Sequence, residues 1–500
     1  MMQVAVVADL HLADRSNSVK EQVWQWVLSE CRRRNVDLFV GAGDLTGIGT
    51  VSAAQKIISA LQANGIPFML TPGNAELRTP ADKAATLELM QTEVLNDTVV
   101  LFDSSCGRLS TAASQLLSDV AAGEKRNLLA VTHCPAEAWE ADDQEMLRQA
   151  MERGVIAKLV YGHKHYDRQS DRFDAIRGLD PDKAIGGAPA LALYRYENGG
   201  WEREDVICPD ADMEHWQEEL RREFFAGIGI CGMKTPVEYL NYAAVNKIGA
   251  FELRYNPELF DVPEFLPALE AWRNAGGKYL SMHLTDLKFE NGVFTGGEKL
   301  DDAVARSVQY RCNGVTMHVP RGFQDELADT KIYALAVKSF IQHLNPLWEN
   351  GIQIGIENLH SVQTERENKR YKFGCTVPEC LNFISALRAA APADARIGLH
   401  MDIGHARNNA PFCHQDMLSE WYAAAGSEIV AMHIHQVSRT PENVLKNHTG
   451  FTSLYGAMIS LSGLGMAWKC GQIGRVPMFL ELRTPAPECY ETLRRSLKLD

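Results

Sequence analysis

Two groups of carboxylate and imidazole residues, each spaced to fall at the ends of short apolar runs, are what this chain offers for chemistry. The first holds Asp9, His11, Asp44, Asn74, His133, His163 and His165. The second holds His283, His318, Glu357, Asp402, His405, His433, His448 and Glu481. Side chains of these types, collected this densely, serve chiefly to hold divalent cations. Two cations about 4 Å apart suit phosphate esters, because together they furnish a nucleophile and clamp phosphoryl oxygens that otherwise repel it.

The elements that must position the two groups differ. Over residues 1–208, short apolar strands (4–8, 38–40, 68–70, 128–131, 159–161) alternate with helical spacing at 19–34 and 53–64. Past Gly162 the pattern turns β-rich and glycine-punctuated, with strands at 190–196 and 201–207. A β-sandwich with helices outside it follows. Residues 209–224 read as an acidic, amphipathic connecting helix. From 225 to 500, eight candidate strands (227–230, 250–253, 279–283, 314–318, 352–357, 397–402, 429–433 and 476–481) alternate with helical crossovers. That repetition specifies an α/β architecture closed as a (β/α)8 barrel. A longer stretch, 290–311, interrupts the third unit and is placed to cover the barrel mouth. In such a barrel the carboxyl ends of all strands meet at one face. Six successive strands end there in His283, His318, Glu357, Asp402, His433 and Glu481, with His405 and His448 in reach.

Five hundred residues exceed one ordinary core and suit two domains. An apolar content of 46% with 23% charged residues is that of a globular protein. The opening run Val4-Ala5-Val6-Val7-Ala8 leads straight into Asp9 and reads as a buried strand, not a signal peptide. No apolar stretch approaches the ~18 residues of a membrane span, so no membrane partner and a cytoplasmic location are expected. The 11 cysteines form no CxxC pair, and Cys134 and Cys312, beside predicted ligands or strands, read as buried structural thiols. A net charge of −14 opposes broad adhesion to nucleic acid, though not a local basic cleft.

The ordered motifs Asp9-Leu10-His11, Gly43-Asp44, Gly73-Asn74, His133 and Gly162-His163-Lys164-His165 resemble the calcineurin-like metallophosphoesterase superfamily across residues 1–208. The resemblance implies an α/β/β/α sandwich. It also implies one metal on Asp9, His11 and His165, a second on Asn74, His133 and His163, and Asp44 bridging them. A manganese or iron–zinc pair and a phosphorylated substrate follow from it. The family usually has histidine after Gly-Asn, where it protonates the leaving group; here Ala75 and then Glu76 follow. That departure restricts the expected activity to good leaving groups or diesters, or passes the role to His11.

The segments Ile356-Glu357-Asn358, Met401 through Ala406, Met432-His433-Ile434-His435 and Phe479-Leu480-Glu481 resemble the xylose-isomerase-like TIM-barrel superfamily from about residue 225 to 500. That group includes endonuclease IV and many sugar isomerases and epimerases. Glu357, Asp402, His433 and Glu481 match the metal ligands of both branches. His283, His318, His405 and His448 match further zinc ligands of endonuclease IV. Lys446 stands where the nuclease pattern has aspartate, which weakens a third zinc. Arg439 resembles the substrate-binding arginine of some epimerases, and Arg439 and Lys446 are the substrate-contact candidates. His400 and His435 read as structural histidines, and Glu252 as lining the mouth or capping the site from beneath.

Together these readings describe a bifunctional metal-dependent hydrolase. Asp44 and His11 would act in a phosphodiesterase or phosphatase domain, and Glu357 and Glu481 in a zinc or manganese barrel nuclease acting on nucleic acid or a nucleotide-derived compound. One alternative makes the barrel a sugar-phosphate isomerase or epimerase coupled to a phosphatase. Another makes the chain a noncatalytic subunit of a protein complex.

Overall fold

A computed structural model describes residues 2–14, 17–409, 417–442, 444–453 and 455–499. The chain divides into one unit of Met1–His215 with Ser460–Met466, and a second of Trp216–Ile459 with Ala467–Asp500.

The first unit is a two-sheet sandwich. Strands Met2–Val7, Leu38–Ala42 and Phe68–Thr71 pair in parallel, and the hairpin Ala190–Glu197/Gly200–Ile207 continues that sheet antiparallel beside the first strand. A second, parallel sheet holds Val99–Phe102, Leu128–Thr132, Ile156–Tyr161 and Phe173–Ala175. Alternation along a strand decides which face each residue serves. Val99 and Leu101 join Val4, Val6, Val40 and Val131 in the core between the sheets. Val100 and Phe102 turn outward to Leu117 and Leu147 of the helices Thr111–Ala122 and Ala141–Glu152. Because both faces are covered, these strands are apolar throughout.

The second unit contains a closed barrel of eight parallel strands: Ile228–Gly232, Ala250–Arg254, Tyr279–His283, Gly314–His318, Gln353–Glu357, Ile397–Asp402, Ile429–Ile434 and Met478–Leu480. Its inward residues form layers set by the strand register. Ala250, Tyr279, Ala431 and Phe479 pack at the floor. Above them Glu252, Ser281, Thr316 and His400 form a buried polar layer. The residues two further along each strand reach the mouth.

The stretch at 290–311 differs from its expected form. Only the hairpin Lys288–Glu290/Val293–Thr295 is extra, whereas Gly297–Gln309 is a regular helix packed against the helix Thr330–Glu349. Its apolar positions Leu300, Ala303 and Val304 recur at helical spacing and are buried, so it is the crossover of the third unit. The connecting helix is Glu218–Ala226, preceded by a short 3-10 turn at Met213–His215. Among the described residues no helix is long and apolar enough to cross a membrane.

Candidate metal centres

In the first unit every candidate ligand follows a strand and converges on one point. Asp9, His11, Asp44, His163 and His165 all have left-handed backbones, with φ of 54°, 49°, 51°, 68° and 56°. For residues with a Cβ this conformation costs energy and persists only when the surroundings impose it, which is why it gathers at functional sites. The surroundings here are tight: a Cβ on Gly73 would meet Asp44 Oδ1 at 2.3 Å and the Asp44 nitrogen at 2.4 Å.

Asp44 presents one oxygen to each half of the cluster. Oδ2 lies 3.8 Å from His11 Nε2, and Oδ1 lies 3.4 Å from His133 Nε2. On the first side, Asp9, His11 and His165 offer ligand atoms within 4.8 Å of one another. On the second, Asn74 Oδ1 is 3.2 Å from His133 Nε2 and 2.9 Å from His163 Nδ1. The seven residues selected from sequence are therefore all brought together.

The donor chemistry fits cations. His133 Nδ1 sits 3.0 Å from the Ala42 carbonyl, which only accepts, so Nδ1 carries a proton. Against burial, Asp44 and Asp9 favour a second proton on Nε2, which a bound cation would displace, leaving a lone pair there. That lone pair faces the Asn74 oxygen, an arrangement repulsive without a positive charge. Turning the Asn74 amide around lets its nitrogen donate to both imidazoles and its oxygen accept from Arg78, so cation binding and its absence select opposite amide orientations. Asp9 Oδ1 and both ring nitrogens of His11 are buried without a hydrogen-bond partner. Burial, then the Asp44 charge, raises the Asp9 carboxyl to about 7, while His133 works against it. Burial depresses His163 to about 4 and His11 well below the usual range, so these rings are neutral at pH 7.

These shifts set a pH dependence. A carboxyl whose folded pKa lies above its ordinary 3.8 binds its proton more tightly when folded. Its contribution to stability therefore falls as pH rises towards about 7. Cation binding must displace that proton, so apparent affinity rises with pH until about 7 and then levels. Calorimetric titration of chelated protein with manganese across pH 5.5 to 8 checks this, and Asp9→Asn should abolish the slope along with tight binding.

Glu76 was not singled out from sequence as a site residue. It is fully buried and accepts from the Asp44 nitrogen at 2.9 Å, the Thr46 nitrogen and hydroxyl at 2.8 Å, and the Gly73 nitrogen at 2.7 Å. One carboxylate thus ties the Asp44 turn to the Gly73-Asn74 turn. Glu76→Ala orphans three buried N–H groups at about 1–3 kcal/mol each. We expect the thermal unfolding midpoint to drop and bound metal in this unit to be lost together.

In the barrel, Arg254, His283, His318, Glu357, Asp402 and Glu481 surround the mouth. Glu357 divides its oxygens as Asp44 does. Oε2 lies 3.1 Å from His283 Nε2 and 3.3 Å from His318 Nε2. Oε1 lies 3.1 Å from His433 Nδ1, which is also 3.7 Å from Asp402 Oδ2 and 3.4 Å from Glu481 Oε2. The outer nitrogens fix the tautomers. His283 Nδ1 donates to the Leu284 carbonyl at 2.9 Å, His318 Nδ1 to Asp286 at 2.6 Å, and His433 Nε2 to Glu252 at 2.6 Å. Each ring, when neutral, so turns a lone pair towards the carboxylates, the arrangement metal-ligating histidines adopt. Without a cation, burial is outweighed by Glu481 and Glu252, which hold the His433 ring protonated, well above the usual range. His283 Nε2 and Glu357 Oε2 have no hydrogen-bond partner although both are buried. Three buried carboxylates meeting one imidazole nitrogen also demand positive charge.

Glu252 supports the centre from below, where the sequence left two roles open. It accepts from Thr316 at 2.6 Å and Ser281 at 2.9 Å besides His433, and the nearby imidazoles, His433 first, overcome burial and hold it at about 2. His400 lies deeper, its Nδ1 2.9 Å from the Thr316 hydroxyl.

His405 and His448 reach the rim. His405 Nδ1 donates to the Asn358 carbonyl at 2.9 Å, and His448 Nδ1 lies 3.2 Å from Glu481 Oε2. His405, His435 and His448 also bring ring nitrogens within 4.8 Å of one another. His435, however, is committed to hydrogen bonds. Its Nδ1 accepts the His448 N–H at 3.0 Å, which leaves the proton on Nε2 to donate to Asp402 at 3.0 Å. It orients Asp402. A Cβ on Gly404 would lie 1.8 Å from the His435 ring, so Gly404→Ala should displace that ring and weaken cation binding in the barrel, read by element analysis.

The substrate candidates lie on the hairpin Gln436–Arg439/Leu445–Thr449, both exposed. Lys446 pairs with Ser438 and Arg439 with Leu445, so the two candidates stand on opposite faces of the hairpin. Arg254 was overlooked, although it ends the second barrel strand in register with His283. It forms an ion pair with Glu481.

Residues 2–167 match the family model for calcineurin-like phosphoesterases. The first unit thus carries a metallophosphoesterase domain, of a family whose members are dinuclear metal enzymes. None of the curated proteins compared with the chain is significantly similar to it. Among solved structures, a D-tagatose 3-epimerase-like protein is 17% identical, covering 54% of this chain and 97% of its own at a TM-score of 0.39. A xylose isomerase domain protein from Planctomyces limnophilus is 12% identical, covering 54% and 98%, TM-score 0.35. A dimetal phosphatase from Danio rerio is 13% identical, covering 41% and 96%, TM-score 0.32. Likenesses this distant carry no functional weight.

Proposed function

We propose that the chain is a two-centre phosphate-ester hydrolase, with one dinuclear site in the metallophosphoesterase domain and another at the barrel mouth. The observation that carries the barrel reading is the division of Glu357. One oxygen faces two imidazoles, and the other faces a separate set of His433, Asp402 and Glu481. Proton transfer between sugar isomers needs the second set alone. When bound, a cation pair supplies a nucleophile at neutral pH and neutralises phosphoryl oxygens. Carboxylate, amide and imidazole donors without thiolate suit manganese, iron or zinc.

The chain's own residues prepare each site. Asp44 and Glu357 join the two halves of their clusters, while Ala42, Asp286 and Glu252 hold imidazole tautomers. In the first domain Ala75 has no proton to give, and the neutral His11 is a poor acid at pH 7. Turnover there should fall steeply as the leaving-group pKa rises, measured with a series of substituted phenyl and alkyl phosphodiesters. A flat series would place a proton donor in the site after all.

Element analysis of the purified chain tests the whole reading. Two cations per unit and metal-stimulated hydrolysis of nucleotide or model diesters are expected. A single barrel cation, with solvent deuterium entering a sugar carbon, would replace hydrolysis by isomerisation in the barrel.

A further inference from the structure

Beside the His283 and His318 side of the barrel centre lies a cavity of about 710 Å³. Arg254, Tyr255, Lys288 and Lys299 line it together with those two histidines. Arg254 spends one guanidinium nitrogen on Glu481, and its side chain is 39% exposed, so the rest of the fork is open to a ligand. Lys288 and Lys299 have no ion-pair partner among the described residues. Of the acids in the same wall, Asp286 is taken by His318 and Arg321, and Glu290 accepts the Thr295 hydroxyl at 3.3 Å. The hairpin Lys288–Glu290/Val293–Thr295 forms one side and carries Glu290, while Glu298 stands beside it in the first turn of the helix Gly297–Gln309.

Size and charge narrow the occupant. The volume is that of a small-molecule site. A polynucleotide needs an extended run of cations along its backbone, and the acids on the hairpin side would oppose one. A guanidinium fork next to a cation centre is, in contrast, suited to a single planar or tetrahedral oxyanion.

We propose that the barrel takes a small phosphorylated molecule of sugar or polyol size, its phosphate gripped by Arg254 and its body lying in the cavity. This rests on the reading of the barrel as a phosphate-ester site and supplies its substrate class.

The test uses the full-length, metal-loaded chain carrying Asp44→Asn, which silences the other domain. Calorimetric titration with ribose 5-phosphate, ribose and a 20-base-pair DNA duplex compares the candidates. Ribose 5-phosphate should bind at least tenfold more tightly than either. Arg254→Met should weaken that binding by about 10- to 100-fold while leaving ribose binding unchanged. Arg254→Lys, which keeps the charge without the fork, should fall between, and it is the variant read if element analysis shows that Arg254→Met sheds metal. Binding of ribose 5-phosphate unaltered by both variants, or tighter binding of the duplex, overturns the proposal. Arg254-dependent binding without hydrolysis of any phosphate ester would sink the hydrolase reading and leave this site standing.

Discussion

Glu357→Gln will empty the barrel centre while leaving the barrel folded. The substitution keeps the shape of the side chain but removes the charge that both donor sets share, so neither His283 with His318 nor His433 with its carboxylates retains a bridging partner. We expect barrel-dependent hydrolysis to fall at least ~1,000-fold, equivalent to about 4 kcal/mol of barrier. Element analysis should register the loss of two cations, and the circular dichroism spectrum should be unchanged. Retention of one cation would mean that the His433 set stands alone, and the bridging role would be withdrawn. The polar layer keeps its own bonds, because Glu252 is held by Ser281 and Thr316 as well as by His433.

The second large effect is expected from Asp44→Asn in the other domain. Its carboxylate lies between His11 and His133, and one oxygen also accepts the Ala75 nitrogen at 2.6 Å. An amide of the same shape can preserve that hydrogen bond through its oxygen, so the fold of the turn should survive. The bridging charge does not. Phosphodiester turnover by this domain should drop ~100- to 1,000-fold, or about 3–4 kcal/mol, with the barrel activity intact. Unchanged turnover would remove Asp44 from the machinery. The two variants also separate the activities, since each should silence one and spare the other.

Much of this was legible because the relevant periods are short. In a strand, residues two apart share a face, so ligand types at strand ends predict a common mouth, and Glu357, Asp402 and His433 are found there. The same rule applied to the second strand would have exposed Arg254, but an arginine ending a strand resembles ordinary surface charge until its neighbour Glu481 is known. Glu76 was hidden differently. It lies only two residues past Asn74, yet its partners Asp44 and Thr46 are distant in sequence, and only folding brings their N–H groups to it. His435 lies just past the seventh strand, and its tautomer depends on a backbone N–H from the following hairpin, which the sequence does not reveal. The stretch at 290–311 was misjudged because a hairpin and a crossover helix run together without a break in polarity.

The left-handed turns at five ligands of the first domain bear on how that site fills. Packing such as the close approach of Gly73 to Asp44 imposes that winding through the polypeptide itself, so we expect the ligands to stay aimed when the ions are removed. Loading then needs few backbone rearrangements, and removal by a chelator should leave a scaffold that accepts a replacement ion promptly instead of refolding around it.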